Sequence, residues 1–228
     1  RTFKPDGADS IDCKGSFISG IQDTSLLAMA AGTTMLAIRF TTAGARSILH
    51  LPTFHLKNQF LDASCVLGNE VNELQDRLLE SSSTDEMFEL VNTYLTGRIQ
   101  FERRMDVVAA IAEGFPFHEA VSIKKLADYA GYSHKQLISL FRNFVGVTPK
   151  MFQRLRRFQH TLDSLSGQNG ADWHDLVYRL GYYDQAHFIN EFKTFSGYTP
   201  TRYLQIKGDY PNYIPLQQDL TPQEPISL

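Results

Sequence analysis

With 228 residues, 43% of them hydrophobic and 21% charged, the chain has apolar material for one large folded unit or two modest ones, in ordinary globular proportions. It holds no run of about eighteen apolar residues and no basic start followed by an apolar core, so neither a membrane-spanning helix nor a signal peptide is predicted within it. The only cysteines are Cys13 and Cys65, too few for a disulfide framework, so a reducing, cytoplasmic setting is expected.

The net charge of −3 is unevenly spread. Residues 1–117 carry 10 Lys+Arg against 15 Asp+Glu, residues 118–208 carry 12 against 7, and residues 209–228 carry none against 3. A basic segment on an otherwise acidic chain points to a polyanionic partner. The chain opens on Arg1 rather than Met, so the natural start is expected upstream.

Short strands are predicted first, at Ser16–Ile21, Ser25–Ala30 and Thr34–Phe40, separated by Gly- and Thr-containing breaks. Ala43–Leu51 reads as a turn or two of amphipathic helix before Pro52. After Gly68 the period becomes helical. Val71, Leu74, Leu78 and Leu79 share one face, and Met87, Leu90, Val91, Tyr94 and Leu95 share another, up to about Gln100. Between them Ser83 or Thr84 suits an N-cap, with Glu86 in the first turn. A helix over Arg104–Glu113 is expected to end at Gly114 before Pro116, and Gly114–Glu119 reads as a boundary. The tail from Gly208, with four prolines counted from Pro211 to Pro225, is expected to lack a fold of its own.

An internal repeat is the most informative feature. Gly131-Tyr132 aligns with Gly181-Tyr182. Upstream, Ile123, Leu126, Ala127 and Ala130 match Trp173, Leu176, Val177 and Leu180. Downstream, Leu137-Ile138, Phe141-Arg142, Phe144, Gly146 and Thr148-Pro149 match Phe188-Ile189, Phe192-Lys193, Phe195, Gly197 and Thr199-Pro200. Each copy reads as helix, tight turn, helix. Ser122 and Asp172 cap the first helices, Gly131 and Gly181 end them, and Ser133 and Asp184 cap the second helices. Leu137/Phe141/Phe144 and Phe188/Phe192/Phe195 form the buried faces. A helix over Pro149–Leu165, about 25 Å long, joins the copies; its length suits recognition helices about one DNA turn apart.

These residues carry a family resemblance. Gly181-Tyr182-Tyr183-Asp184-Gln185-Ala186-His187-Phe188, then Phe192-Lys193, Gly197, Thr199-Pro200 and Tyr203, resemble the DNA-binding domain of the AraC/XylS regulators over about Val121–Gln205. Pro5-Asp6-Gly7, Phe40–Gly44 and His50-Leu51-Pro52 resemble the small N-terminal domain of one branch of that family. The resemblance implies a bacterial activator or repressor of transcription that binds double-stranded DNA through two helix-turn-helix units. It also implies control by a small-molecule effector or by homodimerisation, and contact with RNA polymerase. The fold expected is an α+β N-terminal domain over residues 1–105, a connector over 106–120, an all-α DNA-binding domain over 121–208 and an acidic tail over 209–228.

If the Phe/Leu faces are core, the opposite faces enter the groove. That nominates His134, Lys135, Ser139 and Arg142 on the first recognition helix, with Ile138 partly available for a thymine methyl. On the second it nominates Gln185, Ala186, His187, Asn190 and Lys193. Gln and Asn pair with adenine, whereas Lys and Arg favour guanine or phosphate; Arg142 and Lys193 are expected at phosphates. Arg154, Arg156 and Arg157 are expected to add backbone contacts. The resemblance equally suits His187 to packing. Where Ser139 and Lys135 stand the family commonly has Arg, and Asp184 and Glu191 add negative charge, so moderate affinity and a need for dimerisation are expected.

Enzymatic readings find no support. No phosphate loop, HExxH or GxSxG pattern occurs, and His50, His55 and Cys65 lack metal-ligand spacing. No cofactor is expected, and two lone cysteines do not supply the metal-bound cluster of the methyl-transferring subtype. For the N-terminal half two readings stand: a sensor with an apolar pocket among the strands, or a ligand-free interaction module using Val71–Leu79 or Met87–Leu95.

Overall fold

The computed structural model describes residues 2–3, 15–24, 27–28, 35–114, 122–166 and 177–206. Asp172, Trp173 and Leu176, the Pro5–Gly7 stretch, residues 115–119 of the expected boundary and the tail from residue 209 lie outside them.

The fold is mostly helical, with two small antiparallel ribbons near the N-terminus. Strand β1 (Thr2–Phe3) pairs with β3 (Leu27–Ala28), and β2 (Phe17–Ser19) pairs with β4 (Phe60–Asp62), placing Ile18 opposite Leu61. The strand expected at Ser16–Ile21 is thus confined to Phe17–Ser19, and the described part of Ser25–Ala30, Leu27–Ala28, is strand. The one expected over Thr34–Phe40 is absent from its described part, residues 35–40, which joins neither ribbon. Met35, Leu36 and Ile38 stand exposed there. An apolar run forms a strand only where a partner edge takes up its backbone donors and acceptors, and none lies beside it among the described residues.

Between the ribbons and the helical body come α1 (Gly44–Leu49), a 3₁₀ turn (Thr53–Leu56) and α2 (Ser64–Leu67). Next α3 (Glu70–Glu80) and α4 (Thr84–Gly97) pack together. Ser83 Oγ accepts from Glu86 N, so of the two caps the sequence offered, Ser83 and Thr84, it is Ser83 that caps α4. Helix α5 (Arg103–Glu113) stops at Gly114, whose backbone stays in the right-handed region.

Helix α6 (Ile123–Tyr129) starts from Ser122, whose Oγ accepts from Lys125 N. Gly131, at φ 73°, turns the chain into α7 (His134–Val145). Ser133 caps α7 in a reciprocal box, Oγ accepting from Gln136 N while Gln136 Oε1 accepts from Ser133 N at 2.8 Å. Thr148 Oγ1 accepts from Met151 N to begin α8 (Pro149–Ser166), 18 residues and so about 27 Å long. Further on, residues 177–179 are helical and Gly181, at φ 72°, turns the chain again. The left-handed backbone at both turns is one that a side chain resists and glycine adopts freely. Asp184 Oδ1 then accepts from His187 N at 2.7 Å to cap α9 (Gln185–Ser196), and Thr199 Oγ1 caps α10 (Pro200–Ile206).

Side chains divide among three clusters. The first joins Ala43 and, from α5, Met105, Val108, Ile111 and Ala112 to Ala127, Leu137, Phe141, Phe144 and Phe152. The second joins Leu162 and Leu165 of α8 to Val177, Leu180, Tyr182, Phe188, Phe192 and Tyr203. A smaller third holds Ile48, Leu49 and Leu56 against Ile18, Leu61 and Leu95. Thus α5 is built into the interior of the first helix pair, and the N-terminal half also touches α7 directly. Thr53 Oγ1 donates to Asn143 O at 3.0 Å, and the Arg46 guanidinium lies 5.7 Å from the Phe144 ring while pairing with Glu102 at 2.8 Å. A Cβ at Gly146 would stand 3.1 Å from Thr53 O, so no side chain could be added there without moving the turn.

Phe141 is wholly buried and meets Phe152 edge-on at 5.8 Å. Phe141→Ala should lower unfolding free energy by about 3–5 kcal/mol, read as a shift of the chemical-denaturation midpoint. A change below about 1 kcal/mol would contradict this core.

Candidate nucleic-acid interface

Two helices present polar faces in the same way. On α7, His134, Lys135, Ser139 and Arg142 are exposed while Leu137, Leu140, Phe141 and Phe144 are buried; Ile138 is half-buried. On α9, Gln185, Ala186, His187, Asn190 and Lys193 are exposed while Phe188, Phe192 and Phe195 are buried. Helical periodicity sorts the residues nominated from sequence onto the outer faces, and each helix begins at a side-chain cap shortly after a left-handed glycine, Ser133 two residues after Gly131 and Asp184 three after Gly181.

Several of these side chains are held rather than loose. The Arg142 guanidinium sits 5.2 Å from the Phe54 ring, and its backbone carbonyl lies 3.5 Å from Thr53 Oγ1, so the N-terminal half steers the last turn of α7. Asn143 Nδ2 donates to Ser139 Oγ at 3.4 Å. His187 Nδ1 accepts from Tyr183 N at 3.3 Å, its Nε2 lies 3.9 Å from Glu191 Oε1, and its ring meets Tyr182 edge-on at 5.7 Å. The His187 ring thus touches its neighbours on one side while its side chain remains 42% exposed.

The basic strut behaves differently from expectation. Arg154, Arg156 and Arg157 are engaged with the protein rather than extended toward a partner. Arg154 Nε donates to Glu191 Oε1 at 2.6 Å and stacks on Phe195; Arg157 is buried, with Nη1 3.7 Å from Glu191 Oε2 and its guanidinium over Tyr182. Arg156 Nη1 donates to Ala112 O at 3.3 Å. The reason is that α8 lies between two cores and has little free circumference, so its long cationic side chains lie along apolar rings. Glu191, counted above among the negative charges of the second recognition face, points inward and is 5% exposed.

Between α8 and α9 runs an open groove of about 1010 Å³. Lys150, Arg154, Arg157 and Arg179 give it a basic wall, and His187, Asn190 and Thr194 bring the polar face of α9 to its edge. Tyr178 and Tyr183, 84% and 92% exposed, stand at its rim. Sequence reasoning nominated neither tyrosine, nor Lys150, Arg179 or Thr194. A signal was available at Tyr182-Tyr183: adjacent side chains beside a tight turn cannot both face one core, so one of the two had to be outside. Among the described residues no group of three or more His, Cys, Asp or Glu could hold a metal ion, and no helix is long and apolar enough to cross a membrane.

Residues 126–206, from α6 to the end of α10, match a family described as "Helix-turn-helix domain". That region of the chain is thus similar to helix-turn-helix domains. Over 102 residues it is 30% identical to proteins named uncharacterized HTH-type transcriptional regulators in Staphylococcus aureus strains MSSA476, MRSA252 and N315. The matched stretch is 45% of this chain and 13% of each of those proteins, so the chain spans a small part of their length. No solved structure matches. The matched region thus includes both polar helix faces and the groove between α8 and α9.

Behind that groove, Thr161 Oγ1 donates to Arg157 O at 2.9 Å, and Tyr182 Oη lies 3.0 Å from Thr161 Oγ1. Burial pushes the Tyr182 hydroxyl up to about 12, so its neutral form is favoured in the folded protein. An unfolded tyrosine ionises near pH 10, so this contribution to stability is complete below about pH 10 and is lost as pH rises through about 12. Tyr182→Phe should cost about 1 kcal/mol at neutral pH and flatten the fall of thermal stability between about pH 10 and 12. An unchanged alkaline profile in the variant would rule out Tyr182 as a source of that fall.

Proposed function

We propose that the protein is a sequence-specific DNA-binding regulator of transcription that sets α7 and α9 into successive major grooves of one duplex. The observation that carries this is the duplicated presentation: two capped helices, each following a left-handed glycine, each with a Phe/Leu face buried and a polar face free. The helix-turn-helix domain match and the regulator names of the staphylococcal relatives support the same reading. The strut α8, at about 27 Å, has the length scale of the roughly 34 Å turn that separates successive major grooves.

In this reading Gln185 and Asn190 read base edges, the amide of each offering a donor and an acceptor to adenine. His134, Lys135 and Ser139 do the same from α7, with Ile138 against a thymine methyl and Ala186 giving close approach. Arg142 and Lys193 hold phosphates and set register. The groove wall, through Lys150 and Arg179, follows the backbone between the two sites. His187 supports α9 from the protein side.

The N-terminal half acts as an interaction module that pairs two copies of the chain. Leu79, Phe88 and Phe101 support this, being 78%, 55% and 85% exposed, with Leu79 and Phe88 on the outer sides of α3 and α4. Control by a small effector is the second reading. Light scattering for mass, run beside a thermal-shift screen of small metabolites, separates a dimer from a ligand sensor.

Selection of bound sequences from random double-stranded DNA tests the main reading directly. The expected result is an extended site with two conserved blocks about one helical turn apart; recovery of no enriched sequence would overturn it. Gln185→Ala or Asn190→Ala should cost about 1–3 kcal/mol on the selected site and relax preference at one base position. Arg142→Ala or Lys193→Ala should weaken binding to all sequences and reduce the salt dependence by about one ion. Equal losses on every sequence for Gln185→Ala would remove it from base reading.

A further inference from the structure

We propose that Glu191 is a positioning residue that fixes the second recognition helix on the strut and thereby selects the spacing of the two halves of the DNA site; this rests on the two-groove reading above. Glu191 lies in the middle of α9, one residue from Asn190, yet its side chain turns away from the outer face and is 5% exposed. Arg154 Nε donates to its Oε1 at 2.6 Å, and Arg157 Nη1 stands 3.7 Å from Oε2, which accepts no hydrogen bond. The arginines are themselves anchored on rings at either end of the second unit, Arg154 over Phe195 at 5.1 Å and Arg157 over Tyr182 at 5.2 Å.

The internal repeat shows what else could occupy this position. With Phe188 aligned on Leu137 and Phe192 on Phe141, Glu191 aligns on Leu140, which is likewise 5% exposed and lies in an apolar core. An apolar side chain therefore suffices to fill the corresponding place in the first copy. In the second copy the same place holds a charge bound to the helix that joins the two units. Ring contacts between α8 and α9, such as Phe158 with Phe192 at 5.3 Å and with Phe195 at 5.2 Å, pull the helices together but are largely indifferent to small slides. A short charge-assisted hydrogen bond is directional and is broken by such a slide. Buried ion pairs are a weak source of stability, whereas fixing register is their best-attested use.

The test uses the full chain and the duplex selected from random DNA, together with versions lengthened or shortened by one base pair between its two blocks. Wild-type protein should lose at least about ten-fold in affinity on either shifted duplex. Glu191→Gln should bind the selected duplex about three- to ten-fold more weakly, and its penalty for the shifted duplexes should fall below about three-fold, with affinity for a duplex carrying only the second block unchanged. Circular dichroism checks folding. If Glu191→Gln does not fold, the pair Arg154→Leu/Glu191→Leu, which imports the first copy's residue without stranding Arg154, is read in its place. A spacing profile identical to wild type, or the same fractional loss on every duplex, overturns the inference. Failure of wild-type protein to prefer any duplex overturns the two-groove reading instead, so the two failures are distinguishable.

Discussion

The geometry of the molecule depends on one helix serving two interiors. At its N-terminal end α8 places Phe152 in the core formed by α5, α6 and α7, and at its other end Leu162 and Leu165 enter the core of α9 and α10. A straight helix turns about 100° per residue, so the angle between the two buried stripes is fixed by their separation along the chain. Each core then fixes the helix that packs on it. Removing or adding a residue within Pro149–Ser166 would rotate one unit against the other, whatever the quality of packing within each.

The first unit is not free-standing. Val108 and Ala112 of α5 are fully buried with Ala127, Leu137 and Phe141, and residues 43–56 press on α7 from the other side through Ala43, Thr53 and Phe54. The polar face of α7 is therefore what remains exposed after two neighbours have covered the helix. The second unit lacks that cover: its apolar cluster draws on α8, the residues around Gly181, α9 and α10, with no described residue before α8. Its additional fastening comes from charges, through Arg154, Arg157 and Glu191.

Much of this was legible in the residues themselves. Helical periodicity located α3, α4, α5, α7, α8 and α9 to within a few positions, because Val71 to Leu79 and Phe188 to Phe195 repeat at the spacing of one face. Cap chemistry located the starts at Ser83, Ser122, Ser133 and Asp184, because a short oxygen-bearing side chain before an apolar stripe has few other uses. The strands were poorly legible, since Thr34–Phe40 has the composition of a strand but pairing depends on a partner distant in sequence. The fates of Arg154, Arg157 and Glu191 were not legible either. Glu191 was counted with the outer charges of α9, and only the packing of α9 on α8 turns it inward and brings two arginines to it. For the same reason the groove residues Lys150, Tyr178 and Arg179, which come from separate segments, had no common mark in the chain.

The contact between residues 43–56 and α7 makes the two hooks unequal in a way their matching sequences hide. A displacement of the 3₁₀ turn reaches the end of α7 through the Thr53 hydroxyl and carbonyl and the Phe54 ring, whereas among the described residues its route to α9 runs along α8. The outward residues of α9 can therefore drift in sequence without disturbing how residues 43–56 are seated on α7.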